Sequence, residues 1–490
     1  MALLNRYRPT PSVLPIDLGF MRDRVFRQAP QMVWTTYGDE AVVFNVERST
    51  HEMLNGVATR VWELLAQPTT LDAIVEVLRE EYAMPYDEAR ERVLTDVASL
   101  LVQLATKSIV VSEPKDHDAS RTATDSSNAA NALRGEAIGD PTNPLPLYRL
   151  AQEYRRLGDL TRWRDVIRIA LTLPHHTPLQ RFHRGFAKMA MDDWSGWADF
   201  ESRALLPEMV GRRALLAQEI VWECRAWDGM EDIQNETLFV LPEQGIGDMI
   251  QMLRFIPLVA RRAKSVVVGV HPRLVPFVQH NFGNMVDLAI DGVEKPLAFD
   301  RYVWAMSLPA IVGCLPPFEP MRSPRRRPPL NGRRRTLRGG ICWAGNPEYV
   351  NDWARSMPAD HIAPLLDRRD IEWFSLQVGP SASDAEAYPS LMRPWPRLIT
   401  FGDTADLIAD LDVVVSVDTA VAHLAGCLAV PTLLLLPTCA DSRWGMSDRT
   451  PWYPSVRLVR QPADGDWCAV IRNVQHALDD LSPRSGSVSA

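Results

Sequence analysis

The chain is short of paired cysteines: its six stand at positions 224, 314, 342, 427, 439 and 468, and none forms a C-x-x-C pair. That excludes a zinc knuckle and a thioredoxin-type redox motif, and makes reduced thiols in a cytosol the simpler expectation. An excess of positive charge is also missing. The 490 residues carry a net charge of -8, so the overall balance gives no reason to bind nucleic acid or an anionic membrane. Long apolar runs are absent too. The opening MALLNRYRPTPSVLPIDLGF contains no continuous apolar h-region, and the run from Leu424 to Leu436 is broken by Pro431. The expectation is a cytoplasmic protein without a membrane span. At 46% apolar and 23% charged residues the composition is that of an ordinary folded chain, and its length suggests about three domains.

What is present falls into segments. Residues 113–144 are rich in Ser, Thr, Asn, Asp and Ala and nearly free of aromatics, the composition of a flexible linker. Before it, in residues 20–112, short strands are expected at Met32 to Thr36 and Ala41 to Asn45 around the turn Gly38-Asp39, with a third over Thr50 to Leu54. Helical patterns follow over Gly56 to Leu65, Leu71 to Glu80 and Tyr86 to Thr106. In the last, Ala89, Val93, Val97, Leu100, Leu101 and Leu104 recur near a period of 3.6, and Pro85 stands where a first-turn proline is tolerated. Three strands plus three helices outline a winged helix-turn-helix. The stretch from VVFNVERSTHEMLNG through WELL and TTLDAI to SIVV resembles the PqqD-like domains. That resemblance implies a peptide recognition element that takes a leader segment as an added strand against the third strand and third helix, with Thr50, Glu52 and Leu54 as the peptide-binding positions. A small structural domain without a ligand is the other reading.

Residues 145–230 read as paired antiparallel helices of the tetratricopeptide kind, with at most two degenerate units. Trp194, Trp197 and Phe200 are expected to pack helices rather than stack on sugar. WSGWADFESR, at 194–203, is similar to a segment preceding the transferase part of certain tetratricopeptide glycosyltransferases. The arginine- and proline-rich stretch 321–338 reads as a solvated crossover between domains; its arginines also offer charge to a nucleotide diphosphate.

Two α/β blocks flank that crossover, 235–320 and 339–480. In the first, the strand Thr237 to Leu241 leads through Gly245-Ile246-Gly247-Asp248 into a helix over DMIQMLRFIPLVARRA and a strand from Ser265 to Val270, a βαβ unit. Gly245 and Gly247 begin like a dinucleotide fingerprint, but Ile250 stands where the third glycine belongs. Asp248 lies at the carboxyl end of the first strand, where open α/β sheets place ligands; a carboxylate that only stabilises its helix start is an equal reading. In the second block, strands are expected at Arg338 to Trp343, Ile371 to Gln377 and Val413 to Val417, with a helix from Thr404 to Ala409. Val417 runs into Asp418-Thr419-Ala420-Val421-Ala422-His423, whose helix start offers free N–H groups to an anion. For His423 a satisfied structural histidine is the alternative. Asp410-Leu-Asp412 and Asp464-Gly-Asp466 sit away from strand ends and read as structural rather than metal-binding.

EQGIGD, ICWAGNP, SLQVGP and SVDTAVAHLAG, in that order, resemble the heptosyltransferase-like group of GT-B glycosyltransferases, in particular its tetratricopeptide-bearing members. The resemblance implies two facing Rossmann-like domains, acceptor side first, and a nucleotide-sugar as co-substrate with no cofactor and no metal. It carries the catalytic base onto Asp248 and a basic partner of the donor phosphate onto Arg355, where better-known members have lysine. Donor contacts fall on Gly245, Gly247, Asn346, Gln377, Asp418, Thr419 and His423. The chemistry suits these residues, since an acceptor hydroxyl needs a positioned carboxylate to take its proton, and a departing diphosphate needs positive partners. The expected whole is an inverting, metal-independent glycosyltransferase acting on a peptide or protein acceptor. A non-catalytic peptide-binding or scaffold protein built on a GT-B shell is the alternative.

Overall fold

The computed structural model describes Met21 and residues 24–28, 32–37, 40–45, 50–54, 56–82, 93–94, 96–101, 104, 110–114, 130–206, 225–290, 299–325, 336–347, 352–394 and 397–480. The turn at Gly38-Asp39, the first part of the helix expected over Tyr86 to Thr106, residues 115–129 and the arginines within 326–335 lie outside them. Two compact units divide the chain: Met1–Glu136 with Asn346–Trp353, and Ala137–Gly345 with Ala354–Ala490.

In the first unit β2 (Met32–Tyr37), β3 (Glu40–Asn45) and β4 (Thr50–Leu54) form an antiparallel sheet in the order β2-β3-β4. A second antiparallel sheet, not anticipated from the sequence, joins β1 (Arg24–Gln28) to β5 (Thr69–Thr70) and β6 (Val110–Pro114), in the order β5-β1-β6. It ties the two ends of the unit together, with Arg24 opposite Pro114. The helices Gly56–Leu64 and Leu71–Glu81 pack their apolar faces into one core with Phe26, Val43, Leu54, Trp62 and Leu101. Thr70 caps the second helix by accepting from the Ala73 N–H at 3.3 Å. The described residues of the third expected helix are helical, and Val93, Val97, Leu100, Leu101 and Leu104 are all buried, as the 3.6 period requires.

The linker composition is only part of the account of 113–144, because residues 130–139 form a helix. Alanines at 130, 132 and 137, with Leu133, supply helix propensity where the lack of aromatics had suggested none. After it come two helix pairs: Leu145–Arg156 with Leu160–Thr172, and Pro178–Ala190 with Gly196–Phe200. The second pair crosses closely, since a Cβ on Gly185 would lie 2.8 Å from the Gly196 carbonyl oxygen. Trp197 and Phe200 are buried and Trp194 partly so, which makes them packing residues. Trp452, near the end of the chain, meets Trp194, Trp197 and Phe255 at 5.8, 5.9 and 6.3 Å between ring centroids.

Two parallel five-stranded sheets complete the second unit. The first runs in the order β10 (Asp287–Ile290), β9 (Ala263–Val270), β8 (Ile233–Leu241), β11 (Arg301–Trp304), β7 (Arg225–Ala226). The other runs β13 (Ile371–Ser375), β12 (Leu337–Cys342), β14 (Val413–Val417), β15 (Thr432–Leu436), β16 (Val456–Arg460). Their valine- and leucine-rich strands are buried on both faces, as parallel strands must be. The single helix expected over residues 248–263 is instead three pieces: Ile246–Met252, a 3-10 turn at Leu253–Phe255, and Ile256–Ala260. Pro257 explains the break, because it has no N–H for the preceding turn and fits only a helix start.

One buried ion pair fastens the helical region to the first sheet. Arg203, 3% exposed, holds Glu243, 2% exposed, through two hydrogen bonds of 2.5 and 2.7 Å. The same guanidinium reaches Ser307 and Glu201. Removing one member of a buried pair strands the other, so Glu243→Leu is expected to cost about 3 kcal/mol in urea unfolding. A loss below about 1 kcal/mol would mean that the pair does not carry this junction.

Candidate active site

Open parallel sheets bind ligands outside the carboxyl ends of their strands, at the point where the chain changes direction across the sheet. In the first sheet that point lies between β8 and β11, and in the second between β12 and β14. The helices that lead from these two points meet. The helix Ile246–Met252 follows β8 and packs against Ala420–Cys427, which follows β14. The approach is close: a Cβ on Gly247 would stand 2.9 Å from His423 Cδ2 and 3.3 Å from the Ala420 Cα. Gly247 therefore serves the junction of the two lobes rather than offering an open phosphate turn.

Asp248 stands in the first turn of its helix, with its side chain 17% exposed. Its Oδ2 accepts the Gly245 N–H at 2.9 Å, so that N–H is engaged within the protein. Its Oδ1 accepts from Arg443 Nη1, which also donates to Gln251 Oε1 at 2.9 Å. Arg443 is bound in turn by both oxygens of Asp441, at 3.0 and 2.9 Å. Arg443 went unrecognised in the sequence; the available signal was its place in the loop beyond the carboxyl end of β15. Burial pushes its guanidinium down, but Asp441 and Asp248 outweigh that and leave it raised. Burial likewise pushes the Asp441 carboxyl up, and Arg443 brings it below its ordinary value.

On the opposite side, Asp418 Oδ2 accepts from the Trp444 indole N–H at 2.8 Å. Burial raises its carboxyl, against the pull of the Arg355 charge nearby. The half-buried Arg355 ends the short helix Asp352–Arg355, and its charge also reaches Cys342 and His423. Thr419 begins the helix Ala420–Cys427 without capping it; its hydroxyl turns to Ser416 Oγ at 3.1 Å. The Ala420 N–H stands beside it, close to Gly247, while the Ala422 and His423 N–H groups donate to the Thr419 carbonyl.

Two expected donor contacts have other work. Gln377 is buried; its Oε1 accepts from the Trp343 and Ala344 N–H groups at 3.1 and 3.0 Å, and its Nε2 donates to the Ala344 and Val378 carbonyls. Three of these four bonds fix the loop after β12. His423 is buried, with Nδ1 3.0 Å from the Tyr453 hydroxyl and its ring stacked on Trp444. Asn346 is exposed and falls in the segment Asn346–Trp353 of the first unit. In the first unit Leu54 is buried in the core, so its side chain packs there, while β4 pairs on one side with β3 and with no other strand among the described residues.

The paired aspartates hold structure: Asp412 accepts from the Arg338 N–H, and Asp466 caps the helix Trp467–Asp479. Among the described residues no group of three or more His, Cys, Asp or Glu side chains is arranged for a metal ion, and no helix is long and apolar enough to cross a membrane.

Residues 40–110 match the family described as Coenzyme PQQ synthesis protein D (PqqD). A curated relative, Protein FlbA of Caulobacter vibrioides, is 24% identical over 290 residues, 52% of this chain and 48% of that protein. The chain thus spans about half the length of the curated relative it matches. Among solved structures, TbiB1 in complex with the TbiA(beta) leader peptide is 26% identical, with a TM-score of 0.16, covering 17% of this chain and 93% of that one. E. coli ADP-heptose lps heptosyltransferase II is 11% identical, with a TM-score of 0.36, covering 50% of this chain and 100% of that one.

The His423 ring gives the cleft a pH signature. Burial, with the Arg443 charge beside it, lowers its pKa from 6.5 to about 4. The unfolded chain then binds this proton more readily than the folded one, so the stabilisation is complete above pH 6.5 and is lost as pH falls toward 4. His183, lowered by burial to about 4, adds its own share. The difference between wild type and His423→Asn isolates the first: denaturant titrations from pH 7 to 4 should give a wild-type decline steeper by on the order of 2 to 3 kcal/mol. Parallel declines would place His423 in contact with water.

Proposed function

We propose that the chain is an inverting, metal-independent glycosyltransferase that moves a sugar from a nucleotide-sugar to a peptide or protein acceptor. The observation that supports this reading is the meeting of the strand ends of the two sheets, where Asp248 follows β8, Asp418 and the Thr419 helix start follow β14, and the charge of Arg355 lies close by. The acceptor hydroxyl attacks the anomeric carbon while the bond from that carbon to the diphosphate oxygen breaks. Its proton passes to Asp248, whose oxygens each keep a lone pair beyond the bonds they already accept. The leaving nucleoside diphosphate gains charge, which Arg355 and the N–H groups beside Thr419 offset. Gln377 and His423 act as positioning residues, the first on the loop after β12 and the second on the wall formed by Trp444 and Tyr453. The PqqD-like domain captures the acceptor or its leader at the open edge of β4.

A second reading has its own observation. Both Asp248 oxygens are engaged, one of them by Arg443, which also suits a non-catalytic scaffold. Donor hydrolysis separates the two. On the transferase reading Asp248→Asn lowers turnover by on the order of 10²- to 10⁴-fold with donor affinity nearly unchanged. Hydrolysis no faster in wild type than in Asp248→Asn would favour the scaffold.

Peptide capture has a separate test. Alternate residues of β4 direct their N–H groups to the open edge, so one of Glu52→Pro and Met53→Pro removes a donor there while the other cuts a rung to β3. The edge-facing substitution is expected to weaken leader-peptide binding at least tenfold in fluorescence anisotropy with the fold intact. Unchanged binding in both variants would move the peptide elsewhere.

A further inference from the structure

Behind the Asp418–Trp444 wall lies a pair of arginines that the proposed chemistry does not use. Arg155, near the end of the helix Leu145–Arg156, is 3% exposed, and its Nε and Nη2 find no acceptor among the described residues. Arg460 ends β16. Its Nη2 donates to the Trp444 and Gly445 carbonyls at 3.0 and 2.8 Å, whereas its Nε and Nη1, also buried, find no acceptor among the described residues. The helix bearing Arg155 is pressed onto this edge of the second sheet. A Cβ on Gly158 would lie 2.6 Å from the Pro462 carbonyl oxygen, and Cys439 Sγ is 3.9 Å from the Gln152 carbonyl.

Asp192 and Asp418 lend charge to Arg460, and Asp441 to Arg155, but among the described residues none of them forms an ion pair with either arginine. Both oxygens of Asp441 are bound by Arg443, and Asp418 is held by the Trp444 indole. Asp192, in the left-handed region at φ 60°, abuts Gly445 but forms no ion pair with Arg460 among the described residues. Burial lowers both guanidiniums, Arg460 to about 10, and the charge of Arg155 contributes to that shift. A guanidinium is a planar fork of N–H donors that fits an oxyanion bidentately, and a buried one without a partner is costly.

We propose that Arg155 and Arg460 form an anion-binding site, separate from the Thr419 helix start, that takes a small oxyanion, a phosphate or carboxylate group. Arg460 as a residue retains partial exposure while its unpartnered nitrogens are buried, so a small group suits the site better than a macromolecular surface. The oxyanion is either free or part of a small co-substrate bound in the adjoining cleft.

Calorimetry on the full chain at low salt, with inorganic phosphate as probe, tests this. Wild type is expected to bind phosphate, Arg155→Met and Arg460→Met each to weaken it at least tenfold, and Arg168→Met, at a surface arginine of the helix Leu160–Thr172, to leave it unchanged. Arg460→Met, at the partly exposed member, keeps the test open should Arg155→Met fail to fold. Phosphate displaced by a nucleoside diphosphate identifies the anion as part of the nucleotide, and simultaneous binding identifies a free oxyanion. Equal phosphate binding in wild type and both arginine variants, or none in wild type at tens of millimolar, would overturn the proposal and leave the two guanidiniums to ordered water. Loss of binding in Thr419→Ala but in neither arginine variant would also overturn it, by placing the phosphate at the helix start of the proposed transfer site.

Discussion

The contact between the helices Ile246–Met252 and Ala420–Cys427 governs the second unit. Each helix follows the strand at which its sheet changes direction, so their packing brings the carboxyl ends of the two sheets together. Gly247 lets the backbones approach, and Gly426, on the far side, makes room for the Tyr453 ring, which a Cβ would meet at 2.5 Å. Tyr453 then reaches His423, and His423 fills the space against Gly247. Across this junction carboxylate, guanidinium and carboxylate alternate as Asp248, Arg443 and Asp441. The charged triad is therefore a product of close packing, not an independent feature.

The loop bearing Asp248 is held from behind as well. Glu243, five positions earlier, is tied to Arg203 and through it to Ser307, so the helical segment fixes the entrance to the first helix of the sheet. WSGWADFESR thus has a divided use: its aromatics pack the helices, and its arginine reaches the loop where chemistry is expected.

What was legible in the sequence was local. Apolar runs such as Val413 to Val417 and Thr237 to Leu241 coincide with strands because burial of a short segment is written within it. Partners distant along the chain were not legible. Arg443 meets Asp248 across 195 positions, and Gln377 fastens a loop 33 positions earlier. Neither pairing leaves a periodic trace. The same holds for β1 with β6, which closes the first unit at its ends. The helix at 130–139 was missed for a different reason: a shortage of large apolar side chains excludes a core of its own but does not exclude helix formation by alanine.

The indole of Trp452 has a bearing on how this protein can be divided. It touches Trp194 and Trp197 from the helical segment and Phe255 from the first sheet's helices, while belonging to the second sheet's terminal loop. Ordinary helical repeats meet only their neighbours and can be shortened unit by unit. Here a fragment cut to the two sheets alone would lay open an aromatic surface shared by three parts of the chain. The helical segment is in this sense a wall of the α/β body, and a chain that inherits one must inherit the other.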